Sequence, residues 1–324
     1  MSNSSTIANK KILITGGGGF IGSFLTEEFY QDNEVTLFDN GRRNAFRFLD
    51  PTIQKKVNLV TGDIRDEQIL GKIIKDQDII IHLAAIAGAS FYETDPLLTL
   101  DVNLFGTVNL LKALVDTKTE RIIIFSTSEV YGPLANDVKE EDSTCIGPVS
   151  EGRWSYAVSK VASDHLVRAY FKKYGLPVSI IRPFNIYGPR QVGEGAVSNM
   201  LTSAIKEGKI YVSGDGSQKR AWCYISDMIR AVTLILEEKT DGECFNIGNP
   251  NAYVTILELA EKIQSLCKGS RIFFCEKRNV EVLDRKPNID KAMNIIGFHP
   301  VVGFDEGLQL TVEWWKKNIS KEGV

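Results

Sequence analysis

Apolar residues in this chain fall into two patterns that alternate, short solid runs and longer stretches spaced three or four apart. Lys10 to Thr15 and Arg121 to Ser126 are runs of the kind that makes strands buried in a parallel sheet, the first on both faces, and Glu34 to Phe38, Asn58 to Gly62, Asp78 to Leu83 and Val178 to Arg182 read as further strands. Between them lie segments of helical period: one reaching about Tyr30, one opening near Arg65 and Asp66, one from Pro96 to Val115 and one after Trp154. The alternation predicts an α/β fold built on a doubly wound parallel sheet. Farther on, Tyr211 to Gly216 reads as a strand and turn, while Thr255 to Leu266 and Gly307 to Lys316 read as amphipathic helices. Residues 1–9 are polar and read as a disordered tail. Residues 133–153, with Pro133, Pro148 and several acids, read as a long irregular connection of the kind that forms binding loops.

Composition narrows the function. A chain of 324 residues with 43% hydrophobic and 24% charged residues can fill one broad domain or two lobes. Its net charge of -3 and pI near 5.8 argue against a nucleic-acid partner, which would call for a basic face. Without a long apolar run or a leader pattern, the expectation is a cytoplasmic protein with no membrane partner. Five cysteines with no C-x-x-C spacing read as reduced thiols, and three scattered histidines predict no metal site.

The chemistry gathers at strand ends. The first run enters Gly16-Gly17-Gly18-Gly19-Phe20-Ile21-Gly22 and then a helix, the context in which glycines let backbone approach a pyrophosphate seated at a helix N-terminus. Either Gly17, Gly19 and Gly22 or Gly16, Gly19 and Gly22 could be the spaced set. Asp39 ends the next strand, 23 residues after Gly16, where a carboxylate can bind the adenosine ribose and repel a 2′-phosphate. NAD is therefore favoured, although Arg42 and Arg43 close behind are what a 2′-phosphate would want. Asp63 could meet the adenine or serve a turn or N-cap. Ser126-Thr127-Ser128-Glu129 emerges from another strand end toward the ligand crevice. Finally, Tyr156 and Lys160 stand four apart on a helical run, so phenol and ammonium share a face and the cation would favour the phenolate.

In order along the chain, TGGGGFIG, the Asp39 strand end, GDIRD, HLAA, STSEVYG, YAVSK and RPFNIYGPRQ resemble the extended short-chain dehydrogenase/reductase family of nucleotide-sugar epimerases, dehydratases and decarboxylases. The resemblance implies an NAD-binding Rossmann domain over residues 10–182. It also implies a smaller, partly discontinuous C-terminal lobe over 183–324 for a nucleotide diphosphate sugar, UDP-linked, with segments near 222–250 returning to the NAD domain. Its glycines would be Gly16, Gly19 and Gly22, and Phe20, Ile21, Asp39, Asp63, Ile64, Leu83 and Lys160 would complete the NAD site. A homodimer joined by helices near 100–115 and 155–174 is implied as well.

By the same resemblance Tyr156 is the base for the sugar hydroxyl, Lys160 tunes it, and Thr127 bonds the oxygen being oxidised. The sugar passes through a 4-ketone. Related 4,6-dehydratases carry an Asp-Glu pair where this chain has Ser128-Glu129, which disfavours dehydration. STSEVYG and the Arg-Trp before Ser155-Tyr156 are similar to UDP-glucuronate decarboxylases, whose catalytic Glu and Arg would map to Glu129 and Arg285. Ser128, Asn185, Arg220 and Arg285 would bind substrate, the two arginines supplying charge to the diphosphate, and the loop Ile86 to Tyr92 should border the sugar. A UDP-sugar 4-epimerase is the alternative reaction. A non-catalytic NAD-binding regulator would be expected to lack Tyr156, Lys160 or Thr127, and all three are present.

Overall fold

The computed structural model describes residues 7–319 apart from Glu194 and residues 278–281. Seven parallel strands form its main sheet, in the order Cys244–Ile247, Val178–Pro183, Arg121–Phe125, Ile79–His82, Lys11–Thr15, Glu34–Asp39 and Asn58–Thr61. The solid apolar runs have a direct cause. Ile12 and Ile14 pack into the core on one face and Leu13 and Ile80 into the core on the other, all at 0% exposure. Burial of such a side chain contributes about 1.5–3 kcal/mol. Strand order reverses beside Lys11–Thr15, and that switch point opens a crevice at the carboxyl ends of the strands.

Four expectations change. The tail read over residues 1–9 lies outside the described residues up to position 6, but Ile7 is buried in the core and the Asn9 amide donates to Asp32 O. The helix read from Pro96 to Val115 is three pieces: Pro96–Leu100, a π-helical turn at Asp101–Phe105, and Gly106–Leu114. That wider turn carries Asn103, whose Oδ1 accepts from Ile86 N at 2.7 Å and whose Nδ2 donates to Ile86 O at 3.1 Å and to Ser159 Oγ at 3.2 Å.

The connection read as irregular contains the strand Leu134–Val138, because its partner, Asp284–Pro287, lies far away in sequence. These two join Lys219–Ala221 and Tyr253–Thr255 in a four-stranded sheet. In it Arg220 and Arg285 are register partners, which brings two cations side by side. The strand read at Tyr211 runs Lys209–Ser213 and pairs with Arg271–Cys275.

His82, at 1% exposure, joins two threonines under the crevice: its Nδ1 lies 2.7 Å from Thr15 Oγ1 and its Nε2 3.2 Å from Thr107 Oγ1. Burial, reinforced by Lys160, pushes the imidazole down to about 3. An unfolded chain binds this proton below about 6.5 while the folded one resists it, so stability falls with pH between those values. His82→Gln is expected to flatten this acid loss by up to roughly 3 kcal/mol, read by urea unfolding at pH 7 and pH 4. An unchanged pH slope would refute it.

Candidate active site

The glycine turn is a cradle. Gly16 has φ +71°, and a Cβ there would stand 2.7 Å from Ala84 N; one on Gly22 would stand 2.6 Å from Gly17 O. Gly19 precedes the helix Phe20–Phe29 with no side chain capping it, so amide N–H groups at the helix's positive end remain available to an anion. A cavity of about 470 Å³ lies above this turn, lined by Gly16, Gly19, Phe20, Ile21, Gly22, Asp39, Asp63, Ile64, Leu83 and Lys160. Gly17 does not line it, because that residue packs on Leu37 and Ile14 O. Of the two glycine sets left open, the one beginning at Gly16 is the one that faces the cavity.

Asp39 takes the Gly18 amide at 3.0 Å and the Gly41 amide at 2.7 Å, and burial nonetheless raises its carboxyl. Asp63 is paired with Arg65 at 2.6 Å and accepts the Arg65 amide, a turn role; the N-cap of the following helix is Asp66. The cations read as suited to a 2′-phosphate line this cavity too and have partners within it. Arg42 lies 3.9 Å over the Phe91 ring and Arg43 donates to Ala87 O.

The opposite wall carries Thr127, Ser128 and Glu129 from the end of Arg121–Phe125, and Tyr156 and Lys160 from the helix Trp154–Tyr174. Tyr156 hydrogen-bonds Thr127, and burial pushes its phenol up to about 12 against that bond. Its ring stacks on Tyr92, centroids 5.5 Å apart and planes 17° apart. Lys160 donates to Phe125 O at 2.7 Å, and burial pushes its ammonium down to about 8, opposed by Asp164. Arg43 and Arg285 ease Tyr156 toward phenolate. Lys160 is turned to the Phe125 carbonyl.

Glu129 sits between two arginines. Arg285 Nη1 meets Oε1 at 3.0 Å and Arg153 Nη2 meets Oε2 at 3.2 Å. Burial alone would raise this carboxyl, but Arg285, Arg153 and Arg220 outweigh it and hold it below the usual carboxylate range. Glu129 is an anion at neutral pH. Arg285, 1% exposed, also donates to Gly132 O at 2.6 Å and lies 3.4 Å from Ser128 Oγ. It lines neither cavity and reaches the site through Glu129.

A second cavity of about 730 Å³ shares Asn185, Ile186, Gln191 and Val192 with the first, and Arg153 and Arg220 line it. Asn185 donates to Ala221 O at 3.0 Å, and Arg220 to Val282 O at 2.5 Å. Burial, with Arg285 and Arg153 nearby, pushes Arg220 down to about 10. Sequence reasoning did not single out Tyr92, Asn103 or Arg153 as site residues. Two had a visible signal: Arg153 stands three residues before Tyr156, and Tyr92 ends the loop read as bordering the sugar, which does line the cavity.

A profile of the NAD dependent epimerase/dehydratase family matches residues 12–248. The UDP-N-acetyl-alpha-D-glucosaminuronate decarboxylase of Bacillus cytotoxicus is 34% identical over 95% of this chain and 98% of its own. UDP-glucuronic acid decarboxylase 6 of Arabidopsis thaliana is 34% identical over 94% of this chain and 89% of its own. Among solved structures, the UDP-glucuronic acid 4-epimerase of Bacillus cereus in complex with UDP-glucuronic acid and NAD superposes with a TM-score of 0.84. It is 28% identical over 95% of this chain and 99% of that one.

Proposed function

Because the chain belongs to the NAD-dependent epimerase/dehydratase family, we propose that it decarboxylates a UDP-linked uronic acid through a transient 4-ketone. The observation that carries this reading is Glu129, kept ionised between Arg153 and Arg285 beside the Tyr156–Thr127 pair. Ser128 stands where a dehydratase would need an acid. The first cavity fits NAD, since side chains on Gly16 and Gly22 would collide with its floor and the helix end below it is uncapped. NAD bound there supplies an acceptor that takes a hydride from the sugar C4 and gives it back.

Tyr156 takes the proton of the 4-hydroxyl while Thr127 holds the oxygen. Burial raises the Tyr156 phenol, and Arg43, Arg285 and the positive charge of a bound NAD+ would bring it toward phenolate. Oxidation at C4 makes the sugar a β-keto acid. Glu129, an anion, disfavours negative charge on a carboxylate brought beside it. The electron pair of the breaking C5–carboxyl bond moves instead to O4, where Thr127 and Tyr156 stand. Carbon dioxide leaves neutral, a solvent proton completes C5, and Tyr156 returns its proton to O4. Asn185 and Arg220 in the second cavity suit the diphosphate, Arg220 through its guanidinium fork.

The reading includes a cytoplasmic homodimer, with its contact on the three helical pieces from Pro96 to Leu114 and on the helix Trp154–Tyr174, which expose Leu97, Phe105 and Val158. All five cysteines are free, which suits a reducing compartment. In a single experiment the protein is sized, with two chains expected. It is then incubated without added NAD with UDP-glucuronate, UDP-N-acetylglucosaminuronate and UDP-glucose. One of the uronates is expected to lose the mass of one carbon dioxide and UDP-glucose none. An isomer of unchanged mass from a uronate would make the protein a 4-epimerase instead.

A further inference from the structure

Arg153 is held where the two cavities meet. Its guanidinium is 9% exposed and lines the second cavity, while the carboxylate it touches, Glu129, lines the first. A diphosphate in the second cavity and a ring worked on by Tyr156 in the first would put the sugar between them, alongside Arg153. One nitrogen, Nη2, is committed to Glu129, and Nε is buried with no hydrogen-bond partner among the described residues.

Local charge points the same way. Glu129 already has Arg285 on Oε1, so Arg153 on Oε2 is a second cation for one anion, with Arg220 close enough to repel both. A buried guanidinium with an unused N–H and half a counter-charge is built to gain an anion. Its planar fork matches a carboxylate in two-point geometry, which a hydroxymethyl group cannot supply.

We infer that Arg153 is the specificity residue of this site, the group that recognises the carboxylate of a nucleotide-linked uronate and tells it from a neutral sugar. The inference rests on the uronate reading above and adds the residue that enforces it. Arg153 exchanges partners, leaving Glu129 for the incoming carboxylate and returning when carbon dioxide departs. Its competing bond to Glu129 keeps the grip on the carboxylate loose enough for that group to leave.

The test measures binding of UDP-glucuronate, UDP-glucose and UDP by calorimetry to full-length, NAD-loaded protein carrying Tyr156→Phe, so that no ligand is turned over. Adding Arg153→Met is expected to weaken UDP-glucuronate by about 10- to 100-fold and the other two by less than about threefold. Arg153→Lys keeps the charge without the fork, and a smaller loss confined to UDP-glucuronate is expected; this variant decides if the Met protein does not fold. In the enzyme with Tyr156 intact, KM rises more than kcat falls. Equal weakening of all three ligands, or unchanged affinity for UDP-glucuronate, overturns the inference. Failure of the decarboxylase reading itself would register separately, as UDP-glucuronate and UDP-N-acetylglucosaminuronate both of unchanged mass after incubation with the unaltered protein.

Discussion

Tyr156→Phe is expected to lower kcat by about 10²- to 10⁴-fold while leaving NAD and nucleotide-sugar binding within a few-fold, because on the proposed mechanism it removes the group that takes the 4-hydroxyl proton. The phenol's geometry supports this expectation. Its ring is fixed by the stack on Tyr92, its hydroxyl by the bond to Thr127, and the helix Trp154–Tyr174 that carries it is buried at Trp154, Ala157 and Lys160. Phe keeps the ring, the stack and the packing, so activity is lost without loss of fold. Steady-state rates alongside cofactor fluorescence make the check. Turnover within tenfold of the unaltered protein would remove Tyr156 from the mechanism.

Glu129→Gln would act on both stability and chemistry. The carboxylate is the shared counter-charge of Arg153 and Arg285, whose side chains are 9% and 1% exposed. Gln is isosteric but neutral, and leaving buried guanidiniums without their anion costs about 3–5 kcal/mol. On the proposed mechanism the same change also removes the negative charge that would drive the electron pair of the breaking bond toward O4, worth roughly 10²-fold in rate. Urea unfolding and the rate of carbon dioxide release measure the two effects in one preparation. A Gln variant as stable and as fast as the parent would show that Glu129 is only a surface carboxylate.

Parts of this site were legible in the sequence because their cause is local. Solid Ile and Leu runs mark strands buried on both faces, and the glycine turn is written in consecutive residues. Tyr156 and Lys160 share a helix face by spacing alone. The Glu129 cluster has no local cause. Arg153 is 24 residues from Glu129, and Arg285 is 157 from its neighbour Ser128. Arg285 arrives only because Leu134–Val138 pairs with Asp284–Pro287, a strand hidden in a stretch whose prolines and acids read as loop. Periodicity also missed the π-helical turn that aims Asn103 at Ile86, since one extra residue in a turn leaves an apolar helix pattern almost unchanged. Spacing puts Lys160 on the Tyr156 face, and only the fold adds that its ammonium donates to Phe125 O, 35 residues away.

On the proposed mechanism one protein oxidises the sugar at C4, releases carbon dioxide from it and restores the same hydrogen. The measurement that tests it most directly repeats the product analysis with UDP-glucuronate, and with UDP-N-acetylglucosaminuronate, each deuterated at C4, with no NAD added. The account predicts a product lighter by one carbon dioxide that still carries the deuterium at C4. A product that keeps its carboxylate, or one that has lost the label to solvent, would contradict it.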